Sequence, residues 1–166
     1  MRKFLCLVLI FISFVFQLSL SSCQNEVVSA VEYHDSLVIE QVKIAKIMSD
    51  LNATLETFRP EDMEITLKKL NQQITATQEK LKSAKAFKQD DALLKATIII
   101  VNQYQNIASN EYTQAVDLLS RPDSLFTDAD EATTNELLRQ IDGQITVITS
   151  KYAEEQKAFA AKYGLQ

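Results

Sequence analysis

Backbone punctuation is almost absent from this chain: two glycines and two prolines stand among 166 residues. A β-rich fold needs frequent turns, and turns draw on Gly, Pro and Asn-Gly pairs for conformations that other residues resist. A chain so poor in them is confined to long helices. Its Leu, Ala, Lys, Glu and Gln are good helix formers, and its Ile, Val and Thr recur at steps of three and four rather than in alternation. The length suits one folded domain.

The first 22 residues read as a targeting segment and not as part of that domain. Arg2 and Lys3 form a short positive start, and Phe4 to Phe16 is apolar apart from Ser13. Such a run falls short of the roughly 20 apolar residues that a comfortable membrane span needs, but it suits a cleaved signal peptide. Residues 1–22 are therefore expected to leave and residues 23–166 to fold.

The run ends at Leu20-Ser21-Ser22-Cys23. This stretch resembles a bacterial lipoprotein signal, in which Leu, two small residues and Cys follow the apolar region. The resemblance implies that the Cys23 sulfur receives a diacylglyceryl group, that the peptide is cut just before it and that the new amine is acylated. One acyl chain, palmitate for example, holds a protein only marginally at a membrane, whereas two or more hold it stably. Gln24 stands where an Asp would favour inner-membrane retention, so the resemblance points to the outer membrane of the cell envelope.

Charge and cysteine usage fit that compartment. Cys6 lies inside the signal, so a chain beginning at Cys23 has no second cysteine and cannot close an internal disulfide. Losing Arg2 and Lys3 leaves 15 basic against 22 acidic residues, a net charge of −7. A nucleic-acid partner needs a basic face to neutralise phosphates, which this balance does not provide.

Four helical stripes follow. The first carries Val27, Ala30, His34, Leu37, Gln41, Ile44, Met48, Leu51, Leu55 and Phe58 on one face. Pro60 restarts the chain with Glu61 and Asp62 in a first turn, where acids complement the helix dipole. The second stripe is Met63, Leu67, Leu70, Ile74, Thr77, Leu81 and Ala84, in a helix expected to end near Phe87. Asp90 is placed to cap the third helix, whose inward positions are Leu94, Thr97, Val101, Tyr104, Ala108, Glu111, Ala115 and Leu118, widened by Ile98, Tyr112 and Leu119.

Thr127 and Asp130 form the pattern of a capping box, with Asp replacing the commoner Glu. The fourth helix then presents Leu138, Ile141, Ile145, Ile148, Tyr152, Glu155, Phe159 and Tyr163, and Gly164 follows where a C-cap glycine belongs. Gly143, in mid-helix, is expected at a close helix approach or a bend. Short connections between four similar stripes predict an all-α, antiparallel up-down-up-down four-helix bundle. Ile39, Ile47, Ile65 and Ile99 lie off the stripes, which leaves self-association open or widens the core faces.

Catalytic patterns are missing from the sequence. A di-metal bundle site uses Glu from several helices and Glu-x-x-His pairs, but His34 is the sole histidine and its acid neighbour gives Glu32-Tyr33-His34. Phosphate-binding loop, nucleophile-elbow and zinc-helix motifs are absent too. The reading is a non-enzymatic protein without metal or cofactor.

Polar residues on the stripes are the remaining candidates, because a buried polar group must find a partner. Equal counting from the third connection predicts a Glu111 to Arg139 contact, and the same counting puts His34 near Gln156. The bland reading is that these groups set helix register. A ligand site lined by Tyr33, His34, Tyr152 and Gln156, with Gln41, Glu111 and Arg139 as further internal polar positions, is the sharper one.

Tyr33-His34-Asp35, Gln41, Asn110-Glu111-Tyr112 and the terminal Gln156-Lys157-Ala158-Phe159-Ala160-Ala161-Lys162-Tyr163-Gly164 are similar to a family of small Gram-negative surface lipoproteins of uncharacterised function. His34 stands where Asn is usual in that family. The resemblance implies location and a helical fold, and it carries no activity. Two functions follow from the sequence. One is a membrane-tethered bundle that serves a structural role or binds another envelope or extracellular protein. The other is a periplasmic carrier holding a small apolar or cationic ligand between helices.

Overall fold

The structure, a computed structural model, describes residues 2–57 and 59–165, with side chains from residue 26 onward. The lipidation motif Leu20-Ser21-Ser22-Cys23 therefore lies outside the described side chains, and Phe58 lies outside the described residues. The named elements of the described residues are all helices. Helix α1 is Arg2–Glu56, α2 is Pro60–Ser83, α3 is Ala92–Ile107, α4 is Thr113–Leu119 and α5 is Asp128–Tyr163. A π-helical turn, Ala108–Tyr112, joins α3 to α4 in one rod, and a short 3-10 turn, Asp123–Leu125, precedes α5.

Local chemistry sets the ends. Pro60 occupies the first turn of α2 with Glu61 and Asp62 beside it, where a missing N–H costs nothing and acids meet the positive end of the dipole. The capping box forms at α5: Asp130 N–H donates to Thr127 Oγ1 at 3.3 Å, and Thr127 N–H donates to Asp130 Oδ2 at 3.0 Å. Gly164 closes α5 in the left-handed region at φ 69°, which glycine adopts without a Cβ penalty.

The core takes Ala30, Leu37, Ile44, Met48, Leu51 and Leu55 from α1, and Met63, Leu70, Ile74 and Leu81 from α2. Leu93, Leu94, Ile100, Val101, Tyr104 and Ile107 enter it from α3, and Leu137, Ile141, Tyr152 and Phe159 from α5. Each large side chain so buried stabilises the fold by about 1.5–3 kcal/mol. All of these side chains but Leu137 form one cluster shared by all four helical segments. Val27, expected on the inner stripe, is exposed; the seam of α1 starts at Ala30.

The π turn changes the third stripe. A π turn holds one more residue than an α turn, so the helix beyond it is set back by one position. Tyr112, Val116 and Leu119 are buried, whereas Glu111 and Leu118, expected inward, lie at the margin. The Thr113 hydroxyl donates to the Ala108 carbonyl at 2.9 Å, which satisfies an acceptor in the widened turn.

Helix α2 stops at Ser83, four residues before Phe87. Ala84 is extended, and the chain turns back through Lys88 and Gln89 at φ 50° and 69°. Phe87 and Asp90 exchange both backbone hydrogen bonds across this turn, at 3.1 and 2.7 Å. The turn swings the Phe87 ring onto the helix ends instead of continuing the stripe. Gly143 has nothing within 4 Å of where a Cβ would sit, so it marks no close approach. Ile47 packs on the core, but Ile39, Ile65 and Ile99 are exposed.

Candidate functional site

Three tyrosines carry polar atoms into the core, and each finds one partner on another helix. Gln41 Nε2 donates to the Tyr104 hydroxyl at 2.7 Å, linking α1 to α3. The Tyr112 hydroxyl donates to Asn52 Oδ1 at 2.7 Å, linking α1 to the π turn. Thr97 spends its own hydroxyl proton on the Leu93 carbonyl at 2.8 Å, so the Tyr152 hydroxyl donates to Thr97 Oγ1 at 3.2 Å. Burial pushes all three phenols above their ordinary value. They are neutral hydrogen-bonding groups at physiological pH, and none can serve as a general base there.

A charged contact joins α1 to α2. Glu40 is buried, and its carboxylate accepts from Lys43 at 2.7 Å, Lys80 at 2.9 Å and the Thr77 hydroxyl at 3.3 Å. Burial pushes this carboxyl up, but the hydrogen bonds from Lys43 and Lys80 outweigh burial and hold it below its ordinary value. Between α2 and α3, Asn71 accepts from Gln105 at 3.2 Å and Asn102 from Gln78 at 3.1 Å.

An aromatic cluster closes one end of the helices. Tyr33, Phe87, Phe159 and Tyr163 pack with ring centroids 4.7 to 5.8 Å apart, the geometry of favourable tilted and edge-on pairs. His34 lies flat beside Phe159 at 6.3 Å, and its Nδ1 is 3.1 Å from Asp35 Oδ1. Asp90 clamps the rim. It accepts from Lys162 at 2.7 Å, from the Tyr163 hydroxyl at 3.2 Å and, through Oδ1, from the Ala92 N–H at 3.2 Å. The Lys162 hydrogen bond is the main reason that the Asp90 carboxyl sits below its ordinary range. Lys88 and Glu26 form a second ion pair at this end.

The predicted polar site is therefore split. Tyr33 and His34 belong to the aromatic cluster; Gln41, Glu111 and Tyr152 belong to separate interhelical contacts. Glu111 accepts from Gln144 at 2.8 Å, not from Arg139. Arg139 lies five residues away on an exposed face and grips Glu136 through three hydrogen bonds of 2.7 to 2.9 Å. Counting outward from the loop ignored both the extra residue of the π turn and helical phase. His34 meets Phe159, three residues past Gln156, so that register estimate was short by about one turn. Glu155, assigned to the stripe, is exposed.

Two of the clefts among the described residues have several apolar side chains in their lining. One, of about 580 Å³, is lined by Leu55, Leu119, Phe126 and Leu138 together with Asn52, Glu56, Glu131 and Asp142. The other, of about 490 Å³, lies between α3 and α5 and includes Ile99, Ile100, Ile148 and Tyr152, but neither Tyr33 nor His34. Among the described residues, no three His, Cys, Asp or Glu side chains gather where a metal ion could sit, and no helix is long and apolar enough to cross a membrane. No family model matches the chain, and no curated protein or solved structure matches it either.

Sequence reasoning missed Glu40 and Asn52, because each lies one position off the main stripe of α1. Their signal was present as spacing: Glu40 stands three residues from Leu37 and four from Ile44, and Asn52 follows Leu51.

Proposed function

We propose that this chain is a non-enzymatic envelope lipoprotein, held at the outer membrane by acyl chains on Cys23, whose helical domain serves as a structural or protein-binding element. The single observation that carries this reading is Leu20-Ser21-Ser22-Cys23 directly after the apolar run. The signal peptide is residues 1–22 and the anchored domain residues 23–166. Likeness to the small Gram-negative surface lipoproteins belongs to the same proposal.

The domain is an antiparallel up-down-up-down bundle in this reading, and the contact pairs support it. Asn71–Gln105 and Gln78–Asn102 run in opposite senses on α2 and α3, as do Thr97–Tyr152 and Glu111–Gln144 on the third and fourth helical segments. Gln41–Tyr104 and Asn52–Tyr112 rise together on α1 and the third segment. Interhelical polar pairs of this kind fix register, which suits a rigid element better than a reacting site.

Metabolic labelling with a palmitate analogue tests the tether. Label is expected in the wild-type chain and lost, together with membrane fractionation, in Cys23→Ala; a Cys23→Ala chain that stays in the membrane would contradict it. The cleft that includes Leu55 and Leu138 favours a carrier as the second reading, because the three carboxylates in its lining, Glu56, Glu131 and Asp142, suit a lipophilic cation. Calorimetry with tetrabutylammonium decides it: binding weakened in Glu131→Gln/Asp142→Asn supports the carrier, and no binding to the wild type rules that cation class out.

A further inference from the structure

We propose that the outward face of α1 binds the same face of a second copy of this chain, with the two α1 helices antiparallel. The core seam of α1 passes through Ala30, Leu37, Ile44 and Leu51. Half a turn away, where a surface helix should be polar, stand Val28, Val31, Ile39 and Val42, exposed by 53, 39, 52 and 53%. The outer faces of α2 and α5 carry mostly charged and polar residues, with single exceptions such as Ile65 and Val147. From Val28 to Ala53, α1 is thus apolar on two opposite sides, and among the described residues only one of them is covered.

The occupant is argued from the order of residues along that face. Val28 and Ala53, Asp35 and Lys46, and Ile39 and Val42 are three pairs that share one midpoint, between residues 40 and 41. A two-fold axis through that midpoint sets Ile39 against Val42 of the second copy twice at the centre. It sets Asp35 against Lys46 twice, about 8 Å further out along the helix, and Val28 against Ala53 at the ends. Isologous pairing demands this kind of self-complementary pattern. A parallel pair would instead set Asp35 against Asp35 and Lys46 against Lys46.

Both charges are available. Among the described residues Lys46 is exposed and makes no ion pair, and Asp35 is exposed and pairs only with His34, through one oxygen. Glu32 and Asp50 also approach one another across this axis, and the Lys46 of the second copy lies beside Glu32 to offset them. A single helix-on-helix contact is at the small end of specific interfaces. Association is therefore weak in dilute solution and favoured where copies are concentrated in a membrane. The pairing needs only the α1 face and stands whether or not Cys23 carries lipid.

Crosslinking of the full chain in its own membranes tests it. Two differently tagged copies, both Cys6→Ser, carry Ile39→Cys in one and Val42→Cys in the other, and disulfides are located by mass spectrometry. The expected product joins residue 39 of one copy to 42 of the other. Products joining 39 to 39 would overturn the antiparallel register, and no product, or a product with a different protein, would overturn the second copy. Disulfides through position 23 report separately that Cys23 is unlipidated. Asp35→Lys and Lys46→Asp should each lower the yield about tenfold, and the double swap should restore it. A double swap as poor as the singles would also defeat the proposal.

Discussion

Deleting Asn110 should leave this protein folded, whereas deleting Gly143 should unfold it. Both residues are exposed and sit inside long helical segments. Removing one residue from an ordinary helix rotates everything beyond it by about 100° relative to its neighbours. Beyond Gly143 this carries Tyr152 and Phe159 out of the core, together with the partly buried Ile145, Ile148 and Tyr163. At about 1.5–3 kcal/mol for each fully buried large side chain, Tyr152 and Phe159 alone forfeit about 3–6 kcal/mol. The aromatic cluster and the Asp90 clamp go with them, and a domain of this size holds only about 5–15 kcal/mol in all. Gly143 has no side chain, so the loss is register alone.

The π turn reverses the outcome at Asn110, because the turn already contains one residue too many. Taking it out lets α3 and α4 join as a continuous α-helix with Tyr112, Val116 and Leu119 still facing the core. The direct losses are an exposed hydrogen bond from Asn110 to the Asn106 carbonyl, and repacking around a segment about 1.5 Å shorter. Repacking of that size costs about 1–3 kcal/mol. Urea unfolding of the full-length chain, followed by circular dichroism at 222 nm, reads both variants. The expected result is a cooperative transition for the Asn110 deletion, shifted by no more than about 3 kcal/mol, and no cooperative transition for the Gly143 deletion. Equal damage from the two deletions would refute the assignment of the π turn as a register insertion.

Three further outcomes follow from local geometry. Gly143→Ala should stabilise α5 by about 1 kcal/mol in the same unfolding assay, since the added methyl meets no atom within 4 Å and glycine is a poor helix former. Gln89→Gly should gain up to about 1 kcal/mol by relieving a left-handed residue at φ 69°, whereas Gln89→Val should lose stability. Glu40 and Asp90 are held below their ordinary values of 4.5 and 3.8, so their stabilisation is present above those values and is lost as pH falls through the lower folded values. Lys80 and Lys162 are held above 10.5 by the same two carboxylates, so their share is present below that pH and is lost as pH rises beyond it. A pH series of unfolding midpoints should therefore be flat between the two limbs, and Glu40→Gln should shallow the acid limb.

Much of this architecture is legible in the spacing of apolar residues. Leu37, Ile44, Leu51, Leu70, Ile74, Val101 and Ile141 all fall where their stripes put them, because burial of apolar surface is the dominant driving force of folding and helical phase is regular. The Thr127–Asp130 box and Gly164 are equally legible, since each cap is a local contact. What escaped notice depends on an irregularity. The π turn leaves no mark in composition, yet it moves Glu111 aside and makes Tyr112, expected only to widen the stripe, a fully buried core residue. The left-handed turn at Lys88 and Gln89 lacks the glycine that would have announced it, so Phe87 read as the end of a helix. Glu111 to Arg139 failed because a loop-anchored count carries an error of several residues, and on a helix one residue is already about 100°. Of the outward face of α1, apolar spacing marks only Ile39 as lying off the stripe, and spacing alone leaves it either widening the core or joining a second copy; Val28, Val31 and Val42 show as part of that face only through their exposure.

Mass spectrometry of the N-terminal peptide, recovered from envelopes of the native host, tests the tether most directly. A lipid anchor at Cys23 requires a peptide that begins at Cys23, continues Gln24-Asn25-Glu26 and bears a diacylglyceryl thioether with an acylated amine. A peptide that begins at Met1, or one that begins at residue 23 with a free thiol and amine, would contradict it.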